Sequence, residues 1–67
     1  MIDNRQVGKS ISALRRSKGM TQQQLATVIN VSHQAVSKWE TGAADPSTGN
    51  LLALAKLYGV SAADLLE

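Results

Sequence analysis

The sequence predicts an all-α protein built as one small domain, residues 1–67, of five short helices. Three observations predict it. Apolar residues recur at helical spacing along nearly the whole chain, as in Val7, Ile11 and Leu14 or in Leu51, Leu54, Ala55 and Tyr58. Strand character is confined to Val28-Ile29 and the neighbourhood of Val31-Ser32, and neither alternates with a period of two. Ser, Thr or Asp stands before these stretches and Gly or Asn after them, where helices need caps and left-handed stops.

Helix 1, roughly 4–18, carries Val7, Ile11 and Leu14 on one face; Asp3 can cap it with Gln6 at N3, and Gly19 ends it. Helix 2, about 22–29, opens with T-Q-Q-Q, a capping box of Thr21 and Gln24, and presents Leu25, Val28 and Ile29 before Asn30. Helix 3, about 33–41, has Ser32 as cap, although Ala35 cannot return the bond; Val36 and Trp39 are its apolar pair and Gly42 its stop. Helix 4, about 48–58, begins after Pro46 with Gly49 in its first turn and ends at Gly59. Helix 5, about 62–66, takes Ser61 as cap and supplies Leu65 and Leu66. Hydrophobic staples are available at Ile2–Val7, Met20–Leu25, Val31–Val36 and Val60–Leu65, in register with the caps. No repeat, low-complexity run or linker interrupts the chain.

Composition narrows the function classes. An apolar fraction of 43% suits a packed core and argues against disorder. Cysteine is absent, which excludes disulfides, thiolate metal sites and cysteine nucleophiles, and the single histidine, His33, cannot build a metal site alone. The longest apolar run, Leu51 to Ala55, is too short to span a bilayer, and MIDNRQVGKS lacks the apolar core of a signal peptide. A cytoplasmic protein held together by packing is the expectation. No phosphate-cradling glycine loop, nucleophile–base–orienter set or carboxylate pair on one helix face is present, so neither an enzyme nor a cofactor is expected. The formal charge of +2 is split: residues 1–42 hold six of the seven Lys and Arg against Asp3 and Glu40, whereas residues 43–67 hold Lys56 against Asp45, Asp64 and Glu67. A basic half joined to an acidic half suggests one face that meets a polyanion.

Residues 21–41 have the length and joint of a helix-turn-helix: a helix of about two turns, the connection Asn30-Val31-Ser32, and a second helix. That second helix has two unlike faces. Ala35, Val36 and Trp39 point one way, and Trp39 reads as core rather than as a stacking platform because it shares the Val36 face. Gln34, Ser37, Lys38 and Thr41 stand at i, i+3, i+4 and i+7 on the other, with His33 beside Ser37. A stripe of amide, hydroxyl, imidazole and ammonium groups without a carboxylate suits nucleic acid. Gln can bond adenine N6/N7, and Lys or His can donate to guanine O6/N7. Gln22 keeps a functional reading because free N–H groups and the helix dipole meet phosphate at the start of helix 2. Gln23 reads as a polar helix start, Arg16 and Lys18 as solvated charge, and Asp64 as a carboxylate near a cap.

The segments L-R-R-S-K-G-M-T-Q-Q-Q-L-A (14–26), V-S-H-Q-A-V-S-K-W-E-T-G (31–42), Pro46 and L-x-x-L-A-K-L-Y-G-V-S-A-A-D-L-L (51–66) resemble the lambda-repressor-like, or XRE/Cro-type, helix-turn-helix DNA-binding domains. The likeness covers essentially the whole chain. It implies a compact five-helix domain whose third helix enters the major groove of double-stranded DNA. On matching positions it implies His33, Gln34, Ser37 and Lys38 as base-reading residues and Gln22, Ser32 and Thr41 as backbone contacts. It further implies an ion pair of Arg15 with Glu40 between helices 1 and 3, and pairing as a homodimer on DNA. The chain departs from the pattern at three places. His33 stands where Arg is frequent, Ala43 where a basic residue often follows the glycine, and Thr48-Gly49 where the first turn of helix 4 is usually apolar and free of glycine.

The resulting expectation is a sequence-specific DNA-binding domain of a bacterial or phage transcriptional regulator, either the N-terminal module of a longer regulator or a short repressor complete in itself. Because the likeness ends where the family's DNA-binding domain ends, the module is the favoured alternative, with room for a C-terminal effector or oligomerisation domain beyond it. The competing reading is a protein-interaction or antitoxin-like adaptor with the same fold, which an apolar stripe on helix 3 would have favoured.

Overall fold

The computed structural model describes the backbone of residues 4–66 and the side chains of residues 6–66. Its elements are α1 (Asn4–Ser17), α2 (Gln22–Ile29), α3 (His33–Thr41), α4 (Thr48–Tyr58) and α5 (Ala62–Leu66), with no strand among the described residues. The five helices expected from spacing are all present, within a residue of the expected ends. The expected Asp3 cap and the Ile2–Val7 staple lie outside the described residues.

Three of the four connections repeat one chemical formula. Gly19-Met20-Thr21, Asn30-Val31-Ser32 and Gly59-Val60-Ser61 each run left-handed residue, apolar residue, hydroxyl residue. The first has positive φ (66°, 59° and 68°), the conformation that ends a helix and that glycine or asparagine adopts most readily. The second sends its N–H back to a carbonyl five residues earlier: Met20 to Arg15 at 3.1 Å, Val31 to Ala26 at 2.9 Å and Val60 to Ala55 at 3.0 Å. Its side chain packs against the core. The third caps the next helix, its hydroxyl accepting from the N–H of Gln24 (3.0 Å), Ala35 (3.1 Å) and Asp64 (3.1 Å). Gln24 and Asp64 return the bond to the cap N–H at 2.8 and 3.1 Å, so α2 and α5 both carry reciprocal boxes, and Ala35 returns none. Each three-residue joint thus stops one helix, staples into the core and starts the next. The α3–α4 connection is longer. Gly42 turns it at φ 82°, and Ser47, to which the sequence reading assigned no role, caps α4 by accepting from Asn50 N–H at 3.2 Å.

The core is Val7 and Ile11 of α1, Leu25 and Ala26 of α2, Val36 and Trp39 of α3, Leu54, Ala55 and Tyr58 of α4, and Leu65 of α5. Trp39 lies inside, as its face predicted. Helix α1 packs on α3 and α5, α2 on α3 and α4, and α4 on α5, which leaves the outer side of α3 uncovered. No helix among the described residues is long and apolar enough to cross a membrane.

The sequence reading passed over Gly8. It lies buried on α1 where that helix crosses the end of α3, and a Cβ there would collide with the carbonyl oxygens of Trp39 and Glu40, the second at 2.8 Å. Backbone atoms cannot rotate away as a side chain would, so the glycine is what lets the two helices approach. Gly8→Ala is therefore expected to destabilise the domain by roughly 1–3 kcal/mol, the usual cost of overpacking, despite alanine's better helix propensity. At about 4–8 °C per kcal/mol, the melting temperature should drop by roughly 5–20 °C. Gly49→Ala, where nothing lies within 4 Å of the added carbon, should leave the melting temperature unchanged or raise it slightly. Equal effects of the two substitutions in thermal denaturation would show that the α1–α3 approach is not tight.

Candidate nucleic-acid interface

Helix α3 separates its chemistry by face. Val36 and Trp39 are buried and Ala35 half-buried, whereas His33, Gln34, Lys38 and Thr41 are exposed with Ser37 half-buried among them. Ser32, at the start of this surface, is exposed, and its hydroxyl oxygen is engaged by Ala35 N–H. Thr41 donates its hydroxyl to the Lys38 carbonyl at 3.2 Å. The first turns of α2 and α3 each leave main-chain N–H groups without an intrahelical acceptor, as every helix start does. Six of the seven side chains expected at a nucleic-acid surface (residues 32, 33, 34, 37, 38 and 41) thus belong to α3 or its cap; the seventh, Gln22, opens α2.

Arg15 and Glu40 meet between α1 and α3. Arg15 Nε donates to Glu40 Oε2 at 2.7 Å and Nη2 to Oε1 at 3.0 Å, a two-pronged pairing that suits the planar guanidinium. The third prong, Nη1, donates to the Met20 carbonyl at 2.8 Å in the α1–α2 connection. The two side chains are 10% and 7% exposed. Burial alone would push the Glu40 carboxyl up. Hydrogen bonds from Arg15 and Gln22, the charge of Arg15 and a contact with Ser12 outweigh it, and the group lies below its ordinary value. The hydrogen bond to Glu40 holds Arg15 above its ordinary value against the opposing effect of burial. Tyr58 closes this region. Its hydroxyl sits 3.8 Å from Met20 Sδ, and burial raises its pKa.

The ion pair reaches the surface through two further bonds. Gln22 Nε2 donates to Glu40 Oε1 at 3.0 Å, and Gln22 Oε1 lies 3.0 Å from His33 Nε2. Arg15, Glu40, Gln22 and His33 therefore form one chain of hydrogen bonds from α1 through α3 and α2 back to the start of α3. Sequence reasoning had placed Gln22 and His33 on the surface separately and had not joined them. The only available signal was that both residues open helices on either side of the same short connection. Tyr58, which shares the spacing of Leu51, Leu54 and Ala55, is 8% exposed in the core.

The comparisons with known proteins agree with this architecture. A family model described as helix-turn-helix matches residues 11–65. The HTH-type transcriptional activator BcrR of Enterococcus faecalis is 37% identical over 59 residues, which are 88% of this chain and 29% of that protein. The HTH-type transcriptional regulator DicA of Escherichia coli is 38% identical over 58 residues, 87% of this chain and 43% of that protein. The chain thus spans less than half the length of these curated relatives. Among solved structures, the restriction-modification controller protein C.AhdI from Aeromonas hydrophila superposes with a TM-score of 0.85 at 28% identity, covering 94% of this chain and 96% of that one. These relatives and neighbours are regulators, not enzymes.

With one partner gone, the other charge would stay enclosed and uncompensated. Glu40→Gln and Arg15→Met are each expected to cost about 3–5 kcal/mol, most of the stability of so small a domain. The exposed Lys56→Ala should change stability by no more than about 0.5 kcal/mol. The pair also sets the acid limb. A carboxyl whose folded pKa is depressed contributes stability above its unfolded value and loses it as pH falls through the folded one. Urea titrations from neutral pH downward should show the wild type losing stability below the usual carboxylate range. Glu40→Gln should lack that component. Parallel pH profiles for the two proteins would mean that Glu40 is not the titrating group.

Proposed function

The chain belongs to the helix-turn-helix family, and on that premise we propose that it is a sequence-specific double-stranded-DNA-binding domain of a bacterial or phage transcriptional regulator, with α3 reading the major groove. The observation that carries this reading is the outer face of α3. It offers imidazole, amide, hydroxyl and ammonium groups, while the helix's one carboxylate, Glu40, is turned inward and neutralised by Arg15. A stripe so freed of negative charge can approach phosphates and still present donors and acceptors to base edges. Large exposed apolar residues support an adaptor role poorly, because Val28, Leu52, Leu57 and Leu66 stand on α2, α4 and α5 and none on α3.

In this reading His33, Gln34, Ser37 and Lys38 face the bases. Ser32, Thr41 and the start of α2 at Gln22 face the sugar–phosphate backbone, where main-chain N–H groups and the positive end of the helix dipole suit an anion. Two copies pair on DNA, with half-sites about one helical turn apart. The parent regulator works where its DNA is, in the cytoplasm, and relatives longer than this chain leave room for an effector or oligomerisation domain C-terminal to it.

Selection from a random DNA pool, followed by titration against the selected site and its single-base variants, tests the reading. Gln34→Ala should relax preference at one or two positions of each half-site by about 1–3 kcal/mol and spare non-specific binding. Lys38→Ala should weaken binding and lower the slope of log K against log salt by about 1. A variant profile unchanged by Gln34→Ala would remove α3 as the reading element and favour the adaptor.

Assembly is the second expectation. The apolar surface left outside the core consists of scattered residues such as Leu52 and Leu66, 56% and 37% exposed. Sedimentation of the free domain at low micromolar concentration should give a monomer or a weak dimer, and adding the selected palindrome should give two copies per duplex. A tight dimer without DNA would contradict this.

A further inference from the structure

Hydrogen-bond polarity travels along the chain from Arg15 to His33 and fixes which ring nitrogen carries the proton. Arg15 can only donate, and the ionised carboxylate of Glu40 can only accept. The Gln22 amide must then turn its NH2 toward Glu40, which it does at 3.0 Å, and this aims the carbonyl oxygen Oε1 at His33. A carbonyl oxygen only accepts, so at 3.0 Å the His33 Nε2 must donate. A neutral imidazole has one N–H, which leaves Nδ1 as a bare acceptor. Among the described residues no hydrogen bond engages Nδ1, and His33 is exposed at the leading end of α3.

We propose that His33 is a specificity-determining residue that accepts rather than donates: its Nδ1 takes the exocyclic amino group of adenine or cytosine and discriminates against the O6/N7 edge of guanine, and Gln22 is the positioning residue that imposes this polarity. The inference rests on the DNA-binding reading above and deepens it. A donor-only side chain at this position, Arg or Lys, pairs with guanine O6/N7. An imidazole whose one N–H is committed to the Gln22 carbonyl inverts that choice. Its polarity is set by the buried pair, two hydrogen bonds away, because reversing the Gln22 amide would place an NH2 against the ring and a carbonyl oxygen against a carboxylate.

Two measurements test it. In the free protein at pH 7.5, long-range 1H–15N correlation of the imidazole should show Nε2 protonated and Nδ1 bare. Gln22→Met keeps the Arg15–Glu40 pair and so the fold, and it should yield a mixture of tautomers. On DNA, His33→Ala locates the base pair that the ring reads. Wild type should favour adenine or cytosine over guanine there by about tenfold. Gln22→Met should shrink that ratio to about threefold or less while leaving the preference at the Gln34 position intact. A proton on Nδ1 in the free protein, alone or on a doubly protonated ring, overturns the proposal whatever the DNA data show. Sequence-selective binding with guanine preferred at the His33 position, or with a ratio unmoved by Gln22→Met, overturns it and leaves the DNA-binding reading standing. Loss of all sequence preference in the wild type overturns both.

Discussion

Glu40 is the residue to which three helices are tied. Its carboxylate takes two bonds from Arg15 of α1 and one from Gln22 of α2, and Arg15 spends its remaining prong on the Met20 carbonyl that joins α1 to α2. Well-packed apolar residues could stabilise such a position as well as an ion pair does, or better. They could not supply direction. A methyl group packs in many orientations, whereas a planar guanidinium fork meets a carboxylate in only a few. The arrangement therefore fixes the angle and register of α1 and α2 against α3, and with them the direction in which the outer stripe of α3 projects. It also disposes of the one carboxylate that would otherwise sit beside that stripe.

Close approach supports the same crossing. Gly8 brings the α1 backbone against the Trp39 and Glu40 carbonyls, at the end of α3 that the ion pair holds. The glycine permits the contact and the ion pair orients it, while Trp39 fills the space beneath with little surface left in water. The remaining helices are placed by shorter-range means. Left-handed, apolar and hydroxyl residues in succession stop a helix, bury a side chain and start the next helix within three residues, so the chain has little freedom to connect α1 with α2, α2 with α3, or α4 with α5 in any other way.

Local chemistry explains what was legible in the sequence. Caps, staples and left-handed stops act over five or six residues, so Thr21, Ser32, Ser61, Gly19, Asn30, Gly42 and Gly59 could each be placed without knowing the fold, and the inward face of Trp39 followed from its spacing to Val36. The misses came from contacts between residues distant in sequence. Gly8 is an ordinary helix-weakening residue until α3 lies across it. The enclosure of Tyr58 followed from its spacing to Leu51, Leu54 and Ala55, but its contact with Met20, thirty-eight residues away, did not. Ser47 was hidden because Gly49 made the start of α4 look weak. The surface stripe of α3 was readable as a list of side chains, but the bond between Gln22 and His33 was not, since it spans eleven residues and two helices.

Charge divides the domain along the same line as the proposed function. Arg15 is cancelled against Glu40, so among the described side chains the positive field of the first half comes from the exposed Lys9, Arg16, Lys18 and Lys38. The second half presents exposed Asp45 and Asp64 against the single Lys56. A phosphate backbone attracts the first surface and repels the second, so encounter with DNA under the proposed function is biased toward arrival by α2 and α3 before any base is read. The same repulsion keeps Leu52, Leu57 and Leu66, on α4 and α5, away from the polyanion. The Arg15–Glu40 tie between α1 and α3 thus holds in place the surface that the proposed function assigns to reading.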